Sequence, residues 1–79
     1  MAFYVLLWKE KEDDTSVVYC FGPHEKLFGK LWLDKTNGVV KEIEPVPTNN
    51  SDALFPRAAV KIRQHWKQGN FPEKTCWAS

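Results

Sequence analysis

Leu54-Phe55-Pro56-Arg57-Ala58-Ala59-Val60-Lys61-Ile62-Arg63-Gln64-His65-Trp66 is the stretch that decides the fold. Leu54, Ala58, Ile62 and Trp66 recur every fourth residue, with Phe55 and Ala59 beside them, which is the stripe of an amphipathic helix. The polar run Thr48-Asn49-Asn50-Ser51-Asp52 offers Ser51 or Asp52 as N-cap. Pro56 sets the expected helix start close to itself, because proline is tolerated in the first turn. Gly69 fits a C-cap and Pro72 a stop. No other segment has this period. The chain therefore has one long helix, and one helix covers one face of a sheet.

Upstream of the helix the pattern is that of strands. Phe3 to Lys9 is apolar and β-prone, and it ends in the turn-rich Lys11-Glu12-Asp13-Asp14-Thr15-Ser16. Val17 to Phe21 is a second strand, stopped by Gly22-Pro23, and Lys30 to Leu33 a third. Asn37-Gly38 marks a hairpin, with Val39 to Glu44 as the return strand before Pro45-Val46-Pro47. The expected fold is α+β: a four-stranded antiparallel meander with a C-terminal helix packed on one face (β-β-β-β-α), all within one domain spanning residues 1–79. The tail from Phe71, with Trp77, is expected to fold back onto the body. A competing arrangement has three strands and a first strand that pairs with a second copy.

Alternation sorts the strand residues into two faces. Phe3, Val5, Leu7, Val17, Tyr19, Phe21, Leu31, Leu33, Val39 and Ile43 form an apolar set for the helix stripe. Tyr4, Leu6, Trp8, Val18, Cys20, Trp32 and Val40 fall on the other face, mixed with Lys30, Asp34, Glu42 and Glu44. A half-exposed sheet is normally polar on its outer side. Here Tyr4, Leu6, Trp8 and Trp32 need a cover, either Trp77 and the tail or another protein.

Small size sharpens the point. A chain of 79 residues buries a modest fraction of its surface, and aromatics at 14% of residues compensate. The apolar opening is too short and wrongly flanked for a signal peptide or a membrane span, so no membrane association is expected. Cys20 and Cys76 are too few for a secreted disulfide scaffold, which points to a reducing, cytoplasmic location with both thiols acting as small hydrophobes.

The net charge of +1 hides a division. Residues 1–52 hold six Lys against nine carboxylates, a net of −3, and residues 53–79 hold five Lys or Arg against Glu73 alone, a net of +4. Arg57, Lys61, Arg63 and Lys67 lie in the helix, and a basic helix admits a nucleic-acid reading. An ordinary solvated helix face explains the same residues, and basic groups near the C-terminal end suit the helix dipole.

No motif for chemistry stands out. The four glycines form no phosphate loop. Cys20, His24, His65 and Cys76 have no zinc-site spacing, and Cys20 lies mid-strand, where burial makes a thiol inert. No catalytic residue, metal or cofactor is expected. The leading expectation is a small non-enzymatic protein-binding module, of the inhibitor or immunity type known in bacteria and phages, working through Tyr4, Leu6, Trp8 and Trp32. The alternatives are nucleic-acid binding through Arg57, Lys61, Arg63 and Lys67, and a homodimer whose aromatic faces cover each other.

Overall fold

A computed structural model describes residues 4–49 and 51–78. The meander consists of β1 (Tyr4–Glu12), β2 (Ser16–His24), β3 (Leu27–Asp34) and β4 (Val40–Glu44). The helix α1 (Ser51–Gln68) follows, and then β5 (Lys74–Ala78). All neighbours are antiparallel in the order β4-β3-β2-β1-β5. The α+β class, the meander and the single packed helix are as the periodicities require. The tail adds a fifth strand, so β1 is paired on both sides and is not an edge available for dimerisation. Phe3, assigned by its sequence to the first strand, lies outside the described residues.

The helix-facing side holds the core. Val5, Leu7, Val17, Tyr19, Phe21, Leu31 and Leu33 are sealed from solvent against Leu54, Ala58 and Ile62. Burying each large side chain contributes about 1.5–3 kcal/mol. Phe55 adds a tilted ring contact to Phe21, with centroids 5.9 Å apart. The Tyr19 hydroxyl donates to the Pro72 carbonyl and so fastens the segment leading into β5. Desolvation in that position pushes the Tyr19 phenol well above its ordinary range, with Glu12 and Glu73 adding to the effect.

The expected phase of β4 is wrong. Alternation places Val39 and Ile43 in the core, yet they are 45% and 51% exposed. Val40, assigned to the outer face, packs against the core opposite Leu33. Glu42 likewise falls opposite Leu31, on the helix side, at the sheet edge. Pairing decides this: cross-strand partners share a face, so Leu33 carries Val40 inward and Val39 turns out. Gly38 alone in that loop takes positive φ, at 76°, so Asn37-Gly38 is not a two-residue hairpin turn, whose first residue must itself take positive φ. The Asp34 amide instead donates to the Val39 carbonyl, 2.9 Å away, around a four-residue loop. A register break between Lys30 and Leu31 then leaves Ile43 as a bulge residue on the outer face.

Val46 fills the core position that β4 leaves open, at 1% exposure. It arrives there because the chain after β4 crosses directly over Gly29. A Cβ at Gly29 would lie 2.3 Å from the Glu44 carbonyl oxygen and 2.7 Å from the Val46 nitrogen.

The helix begins at Ser51, five residues earlier than Pro56 suggests. Pro56 has no N–H for the Asp52 carbonyl, but both residues are exposed, so the cost of that missing bond is small. Ser51 lies within the helix, so the capping position precedes it and falls outside the described residues. The C-terminal end follows expectation. Gly69 has φ of 74°, its amide donates to Trp66 over 3.0 Å, and the Asn70 amide donates to His65 over 3.1 Å. This is a Schellman cap.

Candidate functional site

Register alone places the outer-face side chains. Leu6 lies between Gly22 and Cys76, Trp8 between Cys20 and Lys74, and Trp32 between Val18 and Lys41. Tyr4 is 49% exposed, and Leu6, Trp8 and Trp32 are half-buried. All four residues therefore share one face, opposite the helix. Trp77 does not cover them. It pairs with Val5, whose side chain is in the core, so the indole points to the helix side and packs there against the core cluster. Among the described residues no element crosses the outer face.

Two further aromatic or aliphatic groups belong to this face and were missed. Phe28 sets its ring edge-on to Trp8, with centroids 5.3 Å apart, and is 37% exposed. It falls outside the third strand expected from the sequence, Lys30 to Leu33, because β3 begins three residues earlier, at Leu27. Ile43 was missed because its phase depends on the bulge. Strand alternation counted back from Leu31 would have found Phe28; nothing local in the sequence reveals the bulge.

Charge divides the apolar surface. A second register break, between Lys9 and Lys11, makes Glu10 the extra residue of β1. Its carboxylate reaches over β2 to Lys30, 2.7 Å away, and accepts a weak contact from the Cys20 thiol at 3.8 Å. Lys30 chiefly holds Glu10 below the usual carboxylate range. On one side of this pair lie Tyr4, Leu6, Trp8 and Phe28. On the other lie Val18, Trp32 and Ile43, with the Lys41 ammonium 5.8 Å from the Trp32 ring centre. The acidic turn is internally engaged. Glu12 holds Lys9 at 2.7 Å and Lys35 at 2.6 Å, and Asp13 accepts from the amides of Thr15 and Ser16.

The four basic helix residues do not form one surface. Arg57 donates to the Ala53 carbonyl at 2.7 Å and lies 5.3 Å above the Trp77 ring. Lys61 follows one turn later on that flank. Arg63 and Lys67 are exposed on the far side of α1, beside Val60.

The cysteines and histidines are likewise kept apart. Cys20 and Cys76 are free, on strands separated by β1. Two inter-strand spacings are about 10 Å, beyond the reach of a disulfide. Both thiols face the outer side, whereas His65 lies on the helix side, its Nε2 2.9 Å from the Thr75 hydroxyl. The sheet stands between them. Burial pushes the Cys20 thiol up, and Glu10 adds to the shift, so the thiolate needed for nucleophilic or metal chemistry is disfavoured. Among the described residues no group of three or more His, Cys, Asp or Glu is gathered as a metal site would require. No helix among them is long and apolar enough to cross a membrane. Compared with protein-family models, curated proteins and solved structures, the chain matches none.

Proposed function

We propose that the chain is a non-enzymatic protein-binding module whose contact surface is the outer sheet face. The observation that carries this reading is the set Tyr4, Leu6, Trp8, Phe28, Trp32 and Ile43, partly or largely exposed on a face that no described element covers. Exposed apolar groups gathered on one face around a charged pair mark interaction sites, and Trp and Tyr are the side chains that most often carry binding energy. The Glu10–Lys30 pair at the centre of the face supplies orientation, since like charges on a wrong partner are penalised there. An inhibitor or immunity-type protein acts in this way, by occupying its partner. The two free thiols support a reducing, cytoplasmic setting.

The test uses the wild-type chain as bait, followed by titration of the purified captured protein against variants. Trp8→Ala and Trp32→Ala should each weaken binding by about tenfold or more while amide spectra stay native. Arg63→Ala and Lys67→Ala should leave it unchanged. Unfolding of both tryptophan variants would assign these residues to the core and remove the basis of the proposal. A dimer that persists on dilution, with this face protected from exchange, would replace the foreign partner by a second copy. Retardation of DNA or RNA at low salt, abolished by Arg63→Ala, would replace it by nucleic acid.

A further inference from the structure

The two edges of the sheet are not alike. Both edge strands are five residues long, so length does not distinguish them. β4 carries Lys41, Glu42 and Glu44, a bulge at Ile43, and Pro45 at its end. Charges, bulges and proline are the devices that deter a further strand. Beyond Lys74, β5 reads Thr75-Cys76-Trp77-Ala78, with no charge, proline or bulge. No described strand pairs with its outer side.

One hydrogen bond fixes which backbone groups face outward. The Lys9 amide donates to the Glu73 carbonyl over 2.8 Å, in the same register as Leu7 with Thr75 and Val5 with Trp77. In an antiparallel ladder alternate residues turn their N–H and C=O to the same neighbour. Residues 73, 75 and 77 therefore address β1, and Lys74, Cys76 and Ala78 address the open side. Beside that open side runs a basic flank of α1. Arg57 lies over Trp77, His65 reaches Thr75, and Lys61 stands one turn from each. Glu73, the only acidic side chain in residues 53–79, sits 3.6 Å from Lys9.

We propose that β5 accepts an extended acidic segment of a partner protein as a sixth strand. The segment's backbone pairs with the outward groups of Lys74, Cys76 and Ala78. Its helix-side residues, alternate along the strand, are carboxylates that come beside Lys61 and Arg57. A second copy is the poorer occupant. Two β5 strands paired antiparallel keep both helices on one side of the joint sheet and turn two Arg57–Lys61 flanks toward each other. This edge is distinct from the outer face, so it stands or fails independently of that surface.

The probe is a peptide about ten residues long, alternating Glu with Val, titrated into isotopically labelled protein, with a Lys-Val peptide as control. The amides of Cys76 and Ala78 should shift and exchange more slowly, whereas those of Thr75 and Trp77, already bonded to β1, should change little. Lys61→Glu should weaken binding by about tenfold, and added salt should weaken it further. Ala78→Pro, which removes an outward N–H and leaves the β1 ladder intact, should abolish it. No response of these amides at about 1 mM peptide, or equal binding of the Lys-Val control, would overturn the proposal. Shifts confined to Trp8 and Trp32 would overturn it as well. So would protection of Cys76 and Ala78 that rises with protein concentration when no peptide is present, since that assigns the edge to a second copy.

Discussion

Trp66 ties the last turn of α1 to the β3–β4 loop: its Nε1 donates to the Lys35 carbonyl over 2.7 Å, and its six-membered ring lies where a side chain at Gly38 would have to be. The loop conformation and the helix position are thus one structural unit. A Cβ on residue 38 would approach the ring to 2.6 Å, at a φ of 76°. Gly38→Ala therefore combines backbone strain with overpacking and should cost about 2–4 kcal/mol. Gly69→Ala has nearly the same φ, 74°, with nothing within 4 Å, and should cost only the backbone share, about 1–2 kcal/mol. Urea denaturation of the two variants separates strain from clash.

The phase of β4 has its own test. Val46→Ala removes two buried methyl groups and leaves a cavity, at a cost of about 2–3 kcal/mol. Val39→Thr and Ile43→Thr alter exposed side chains and should stay within about 0.5 kcal/mol of the parent. Equal losses at all three positions would restore the phase that simple alternation suggests.

His65 gives a pH signature. Burial, and then the neighbouring Lys61, lower its pKa below the ordinary histidine value. The unfolded chain therefore takes up the proton first as pH falls. Its contribution is fully present above about pH 6.5, is lost as pH falls from there through the folded pKa, and is constant below. Glu10, Glu12, Asp13 and Asp34 are held low by their partners, so their contributions fade in a separate, more acidic window. Denaturation midpoints recorded between about pH 5 and 8 should show the histidine step, and His65→Gln should flatten it.

Thiol labelling reads the outer face directly. Cys20 is 3% exposed beneath the Glu10–Lys30 pair, and Cys76 is half-buried on β5. A thiol reagent should modify Cys76 in the native protein, and Cys20 only at the rate of unfolding. Equal rates would mean that the salt bridge does not close over Cys20.

How much of this was legible in the sequence depends on which forces act locally. The helix stripe, its glycine cap and the strand alternation of Val5, Leu7, Val17, Tyr19 and Phe21 follow from period and burial alone, and the structure keeps them. Tyr4, Leu6, Trp8 and Trp32 share a face because parity along a strand is fixed once one side is buried. The misplacements in the sheet all arise where pairing, not period, decides. Ile43 and Glu42 depend on a bulge, Val46 on the close pass over Gly29, and Phe28 on where β3 begins. The tail is the same case. Lys74 to Ala78 is a strand only because the open edge of β1 needs hydrogen-bond partners, and no residue within the tail declares that need.

The placement of β1 has a consequence for synthesis. It is the first described strand to leave the ribosome, and its β5 neighbour is the last. Until residues 74–78 emerge, a nascent chain that has already assembled the meander and helix carries Val5-Leu6-Leu7-Trp8 along a raw margin. For that interval the stickiest strand in the molecule is open to any neighbouring polypeptide. A chain that lacks residues 74–78 therefore keeps that margin open and is more prone to aggregate than one that carries them.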